Sequence, residues 1–230
     1  MITAESGYPT ESWGRDGYGL ECADAEAAVA GVERLYALGA RVVKLPVTGS
    51  PVLDADALHA ATTTAHEHGT KVASHALGDE EAMAAAAAGV DVLAHTPVEP
   101  LSEATLAAWA DGAVISTLSA FGGESVLAAM RARGTTVLYG TDFGNTRTTG
   151  ISSSEVVSMM AAGMDGAAIL ASGTSAPAAF WGFDGLGAVA PGMAASLLVL
   201  DADPLASPLT LTSPAQVYVA GRLYASASSR

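Results

Sequence analysis

The chain has 230 residues, of which 50% are hydrophobic and 15% charged, and its formal net charge at pH 7 is -14. This composition can bury the core of one large domain, with or without a small appendage, while its acidic balance argues against nucleic acid as a partner. No apolar run is long enough for a membrane span, no secretory signal is recognisable, and a single cysteine excludes an intramolecular disulfide, so we expect a soluble cytoplasmic protein.

Strands and helices alternate along the first three quarters of the chain. Helices are predicted over 24–38, 54–68, 80–88, 102–110, 124–133, 154–163 and 165–172, and strands over 41–46, 71–75, 91–95, 113–117 and 136–139. Asp24 and Ser102 are expected N-caps, and a glycine follows several of the helices. Such alternation indicates parallel strands joined by right-handed crossovers. With the short apolar start, about six strand positions precede residue 145, whereas a closed barrel needs eight.

The pattern changes after residue 183. Predicted strands over 187–192, 196–200, 216–219 and 222–224 are joined by turns without an intervening helix. We therefore predict an α/β fold class: an incomplete TIM-like (β/α) barrel over 1–186, with about six of eight strands, and a small β module over 187–230.

Four candidate metal ligands lie on separate predicted strands or just after them: Lys44, His75, His95 and Asp142. A parallel barrel builds its active site at the carboxyl ends of its strands. Imidazoles and a carboxylate suit a divalent ion such as zinc, and Asp142 can carry a proton for the reaction. Burial favours the neutral amine of Lys44, and such an amine can react with carbon dioxide to form a carbamate, an anionic ligand.

Each of these residues also has a structural interpretation. A histidine at a strand end is more often a hydrogen-bonded core residue, Asp142 can shape a turn, and Lys44 can extend to the rim. Their coincidence at matching strand ends favours a site. The loops after the strands would then bind substrate, and the predicted contacts are Thr48, Thr117, Asn145 and Arg147.

In several stretches the chain resembles the amidohydrolase superfamily, in particular its imidazolonepropionase-like and prolidase-like metal-dependent hydrolases. The similar stretches are 42–44, 65–76, 89–97 and 139–142, followed in the tail by 187–192 and 197–205. Their order and spacing extend the resemblance from about residue 25 to about residue 224.

The resemblance implies a role for each candidate ligand. Lys44 would be carboxylated and bridge two metals, His75 and His95 would bind one of them, and Asp142 would bind the other and act as general base. It further implies one or two divalent ions, most often zinc, and hydrolysis of an amide, peptide or ester bond in a small-molecule or short-peptide substrate.

The chain departs from the family pattern near its start. It has no His-x-His before Lys44, and Tyr8 follows Gly7 where the family has a histidine. Residues 1–10 resemble the third barrel strand, so we expect the first two strands and the leading half of the β module to be absent. Exposed strand edges invite pairing, and we expect a homo-oligomer or a separate N-terminal chain to cover them.

Two other functions stay open at this stage. The chain could be a non-catalytic binding or assembly subunit of the same fold, since fold does not fix function. Alternatively, Lys44 could be a Schiff-base nucleophile as in barrel aldolases, although an imine-forming lysine does not require the two histidines.

Overall fold

A parallel sheet of five short strands lies at the centre of the computed structural model, which describes residues 1–226. The strands, in chain order, are β1 (Ile2–Ala4), β2 (Leu20–Cys22), β3 (Val42–Pro46), β4 (Lys71–His75), β5 (Val92–Leu93), β6 (Ala113–Ile115), β7 (Thr136–Leu138), β8 (Leu197–Val199), β9 (Gln216–Val219) and β10 (Arg222–Ser226). The central sheet has the order β3-β4-β5-β6-β7, so each strand pairs with its successor in the chain.

Helices connect successive strands of this sheet, and further helices precede and follow it in the chain. They are α1 (Ala25–Ala37), α2 (Ala55–Glu67), α3 (Asp79–Ala87), α4 (Glu103–Ala108), α5 (Leu118–Phe121), α6 (Glu124–Ala132), α7 (Ser153–Ala161), α8 (Gly166–Ser172) and α9 (Ser175–Trp181). The predicted N-caps are confirmed, because Asp24 accepts a hydrogen bond from the Ala27 N–H and Ser102 accepts one from the Thr105 N–H. Fully buried Leu45, Leu93 and Leu127 belong to the core.

The α/β fold class is confirmed, but the central sheet of the described residues has five strands rather than about six. β1 and β2 pair with each other in a separate parallel ribbon, and β1 lies beside β3. β2 was not predicted because three residues are too few to show an alternating pattern. α9 was missed because Pro177 suggests a break, yet proline is tolerated in the first turn of a helix.

The C-terminal strands form a small antiparallel sheet with the order β10-β9-β8. The predicted strand at 187–192 is wrong: the segment consists of bends and a turn, Gly187 and Gly192 adopt φ of 90° and 88°, and Gly187 lies against α9. A 3₁₀ helix, Pro208–Thr212, interrupts the all-strand pattern that we expected. Residues 227–230 of the predicted module lie outside the described residues. In the part of the chain that is described, no helix is both long and apolar enough to cross a membrane.

Candidate active site

The carboxyl ends of β4 and β5 bring two histidines together. His75 is the last residue of β4, and His95 follows β5 by two residues. Because these strands are parallel neighbours, the imidazole centroids lie 4.7 Å apart, with an angle of 73° between the rings. Both rings line a cavity of about 350 Å³, and Lys44 and Asp142 line the same cavity. The structure therefore brings all four predicted ligands to one concave site.

Burial keeps both imidazoles neutral. His75 is 6% exposed and His95 is 4% exposed. Burial, and secondarily the charge of Lys44, lowers the pKa of His75 to about 4. Burial also lowers the pKa of His95, with a further contribution from the adjacent His75 ring. At neutral pH each ring therefore has an unprotonated nitrogen that can bind a cation or accept a proton.

Hydrogen bonding distinguishes the nitrogens of these rings. Nδ1 of His95 lies 3.2 Å from the hydroxyl oxygen of Thr117, whereas Nδ1 of His75 is buried without a hydrogen-bond partner among the described residues. A buried polar atom without a partner is costly, and ligand-binding sites are one place where it occurs. The free nitrogen of His75 thus fits a ligand or cation in the cavity.

Asp142 is held by the turn that follows β7. Its backbone adopts φ of 51°, a left-handed conformation that aspartate tolerates better than most residues. The side-chain amide of Asn145 donates a hydrogen bond to its carboxylate at 2.7 Å, and the backbone N–H groups of Asn145 and Thr146 both donate to its carbonyl at 3.1 Å. The carboxylate is therefore oriented before any ligand arrives.

Lys44 lies in the middle of β3, opposite Ala73 of β4. Burial lowers the pKa of its amine, and the charge of Asp142 opposes this shift only in part. A lowered pKa increases the neutral fraction of the amine, which is the form that can react with carbon dioxide or a carbonyl.

The donor set suits a divalent cation, although its members do not all lie close together. Two neutral imidazoles, a carboxylate and a lysine with a lowered pKa are the groups from which a zinc site could be built. Among residues 1–226, however, no three His, Cys, Asp or Glu side chains lie close enough together to form a metal-binding group. The two histidines are thus the close pair, and Lys44 and Asp142 share their cavity.

A buried glutamate, which was not predicted, holds the turn that carries Thr117. Glu155 of α7 is fully buried, and its carboxylate accepts hydrogen bonds from the backbone N–H groups of Leu118 and Ser119 at 3.0 and 2.7 Å. These groups directly follow Thr117, whose φ of 43° is left-handed. Glu155 therefore holds the turn that presents the Thr117 hydroxyl to His95. One feature of the sequence could have indicated its burial: Glu155 lies four residues before the buried Met159, so the two occupy the same helix face.

The four predicted substrate contacts differ in their positions. Asn145 lines the cavity, and Thr117 bonds His95, whereas Thr48 and Arg147 are not among the lining residues and Arg147 is exposed. Several aromatic residues that we did not predict line the cavity instead: Tyr8, Trp13, Tyr18, Phe121 and Phe143.

The remaining histidines lie elsewhere. His66, at the other end of the sheet, is 2.8 Å from the carboxylate of Asp91, and His68 is 2.9 Å from that of Glu33. A second, apolar cavity of about 590 Å³ lies between α8, α9 and β8, and none of the described residues that line it is titratable. Acid–base chemistry is therefore concentrated in the cavity at the carboxyl ends of the strands.

Comparison with known proteins identifies a matching sequence family and similar folds. The profile of the amidohydrolase family matches residues 16–224. Among solved structures, a Xaa-Pro dipeptidase with methionine bound in its active site is 21% identical, with a TM-score of 0.85 over 97% of this chain and 66% of that one. An ochratoxinase from A. niger is 19% identical, with a TM-score of 0.77 over 98% of this chain and 64% of its own.

A third structure, a prolidase complexed with N-methylphosphonate-L-proline, is 20% identical, with a TM-score of 0.72 over 90% of this chain and 60% of that one. The chain thus spans somewhat less than two thirds of the length of these structures. No curated protein sequence matches it.

Proposed function

Because this chain belongs to the amidohydrolase family, whose profile covers residues 16–224, we propose that it forms the catalytic face of a metal-dependent hydrolase of amide, peptide or related C–N and ester bonds. The observation that carries this proposal is the pair of neutral imidazoles, 4.7 Å apart, in a cavity that Lys44 and Asp142 also line. A cavity of this size is within the range for small-molecule sites.

In this proposal His75 and His95 would hold the cation, with Lys44 and Asp142 as the further ligands. A bound divalent ion such as zinc polarises a carbonyl oxygen and acidifies water. Lys44 would contribute as its carbamate, and the lowered pKa of its amine supports this role.

The residues around the ligands orient them and move the proton. Asp142 would accept a proton from water and return it to the leaving group, and Asn145 keeps its carboxylate facing the cavity. Thr117 would fix the tautomer and orientation of His95 through the hydrogen bond to Nδ1.

The similar structures support a short-peptide or small-molecule substrate. One is a dipeptidase with bound methionine and another is a prolidase with a proline phosphonate. The cavity of this chain is suited to ligands of that size.

A further polypeptide would complete the sheet. Among the described residues, β7 is one edge of the central sheet and the β1-β2 ribbon lies beside β3 at the other, whereas a closed barrel has no edge. We propose that a second copy of this chain or a separate N-terminal chain pairs with the open edges of the sheet. In this proposal the predicted barrel, 1–186, and the predicted β module, 187–230, would both belong to the completed assembly.

A specific observation supports a second candidate function. Because no three ligands converge within residues 1–226, the chain could act as a non-catalytic subunit that binds or assembles without a metal.

Metal analysis and activity distinguish the two functions. After dialysis against zinc, elemental analysis should find about one or two ions per chain, and a panel of Xaa-Pro dipeptides and N-acyl amino acids should include a hydrolysed substrate.

The Asp142→Asn variant should lose hydrolysis, while the matched His59→Ala variant, in an exposed helix position, should retain it. Absence of both zinc and hydrolysis would favour the assembly role, and trapping of a substrate by borohydride would favour the Schiff-base role.

A further inference from the structure

A cluster of aromatic rings stands over the two histidines. Tyr8, Trp13 and Tyr18 all come from the loop between β1 and β2 and line the cavity. The Tyr8 ring lies over His75 with centroids 4.9 Å apart, Trp13 meets Tyr8 edge-to-face at 5.9 Å, and Tyr18 meets Trp13 at 4.7 Å. The rings therefore form a continuous aromatic wall, which leads from the imidazoles to the cavity mouth.

The loop that carries this aromatic wall is anchored at several points. The Thr3 hydroxyl donates a hydrogen bond to the carbonyl of Tyr8 at 2.7 Å. The carboxylate of Glu21, on β2, accepts hydrogen bonds from the Ser6 N–H and the Thr10 hydroxyl. Because these bonds tie residues 6–10 of the loop to the β1-β2 ribbon, the Tyr8 ring is positioned before a ligand binds, which reduces the entropic cost of binding.

The outer rings of the wall are incompletely buried. Trp13 and Tyr18 are each 60% exposed, although they are among the largest apolar side chains of the protein. Adjacent exposed aromatic rings at the rim of a cavity are typical of a ligand-binding surface, because a ligand removes their apolar area from water.

The wall itself has no charged side chain. Among the described lining residues, the charged groups are the side chains of Lys44 and Asp142 and the terminal amine of Met1, and none of them belongs to the wall. Arg147, which we predicted as a substrate contact, is exposed and outside the lining. The chemistry of the wall is therefore that of a flat, uncharged ring.

We propose that Tyr8, Trp13 and Tyr18 form a subsite for an uncharged aromatic side chain of the substrate, next to the bond placed at the histidines. This inference rests on the proposed hydrolase function for the identity of the reacting bond, but the recognition of the ring does not require hydrolysis. Edge-to-face packing against Trp13 and Tyr18 would select an aromatic ring over an aliphatic chain.

The test is a binding measurement without added divalent ion, so that the probes are not consumed. Calorimetry of the full chain should show N-acetyl-L-phenylalanine amide binding about tenfold more tightly than N-acetyl-L-alanine amide, from ring burial and aromatic packing. N-acetyl-L-lysine amide should bind no better than the alanine compound. Tighter binding of the lysine amide would overturn the proposal in favour of a cation subsite, and equal binding of all three would remove the subsite.

Substitutions of two tryptophans test whether the aromatic wall causes the preference for the phenylalanine amide. Trp13→Ala should abolish the preference for the phenylalanine amide, whereas Trp13→Phe should retain most of it. The matched control is Trp181→Phe, because Trp181 packs on Phe180 outside the cavity and should leave the preference unchanged. A preference that survives Trp13→Ala would contradict the proposal. Loss of hydrolysis with an intact preference would instead contradict only the proposed reaction.

Discussion

The two ends of the central sheet contain the same kinds of residue in opposite arrangements. At the amino end, the carboxylate of Asp91 lies 2.8 Å from His66 and 2.9 Å from Lys71, and it accepts a hydrogen bond from the Val72 N–H at 2.7 Å. At the carboxyl end, His75 has a buried nitrogen without a partner. A histidine, a lysine and an aspartate are thus bonded to each other at one end and face a cavity at the other.

This difference shows which end is available for chemistry. Groups that satisfy one another stabilise the fold, whereas groups that are held apart around a cavity can bind something else. In parallel barrels the carboxyl ends of the strands carry the active site and the amino ends contribute to stability. Residue type alone does not separate these roles, since His66-Glu67-His68 has the His-x-His pattern but His66 and His68 bind carboxylates.

The largest expected effect is on the free energy of unfolding, and it tests whether Glu155 supports the turn at the carboxyl end of the sheet. Glu155→Gln replaces one acceptor oxygen by a donor opposite a buried backbone N–H, so it should lower the free energy of unfolding by about 2–3 kcal/mol. Urea denaturation measures this change. The matched control is Glu103→Gln, at an exposed ion pair with Arg133, which should cost less than about 1 kcal/mol. Equal effects of both variants would show that the buried carboxylate is not a structural support.

The next largest effect is on zinc binding by the proposed ligand His75. His75→Ala should weaken zinc binding by at least about 100-fold, or about 2.7 kcal/mol, because it removes the nitrogen that has no other partner. Because the buried ring packs against Tyr8 and His95, the substitution also lowers the unfolding free energy, so urea denaturation first establishes that the variant is folded. Competition against a zinc-chelating dye measures the affinity. Unchanged zinc affinity would exclude His75 as a ligand.

Features that depend on nearby residues could be predicted from the sequence. The bounds of β4 agree with the prediction at both ends, and Asp24 and Ser102 cap their helices as expected. These features follow from apolar spacing and from capping residues a few positions away. The shared cavity of Lys44, His75, His95 and Asp142 could be predicted as well, because parallel strands place their carboxyl ends together.

Features that depend on distant contacts could not be predicted. Glu155 acts on Leu118, which lies 37 residues away, and no local pattern links them. The position of Tyr8 over His75 depends on the β1-β2 ribbon, whose second strand was not predicted. Arg147 was expected to contact substrate because of its charge, but the structure leaves it exposed beyond the cavity.

The pH dependence of stability tests the amino end. Burial opposes ionisation of Asp91, but hydrogen bonds from the Val72 N–H, His66 and Lys71 outweigh it and lower the pKa of the carboxyl below 3.8. The ionised group therefore contributes stability above pH 3.8, and this contribution is lost as the pH falls through the lower folded-state value.

Asp91→Asn should consequently cost about 1–2 kcal/mol at pH 7, and the difference from the unsubstituted protein should shrink towards pH 3. Denaturation at a series of pH values measures it. Asp165→Asn is the control, because asparagine caps a helix about as well as aspartate, so α8 should be unaffected at pH 7. A constant difference between pH 7 and pH 3 would mean that the charge of Asp91 is not what stabilises this end.

The smallest effect separates the two ends most directly. His66 is at the surface, with 42% of its side chain exposed, so His66→Ala should lower the unfolding free energy by no more than about 0.5 kcal/mol. Its zinc affinity should equal that of the unsubstituted protein, because its nitrogen is already bonded to Asp91 at the end of the sheet away from the cavity. The same dye competition, performed beside His75→Ala, measures this. If both variants lost zinc to the same extent, binding would not depend on the carboxyl-end cavity, and the contrast between the satisfied and the unpartnered histidine would not indicate function.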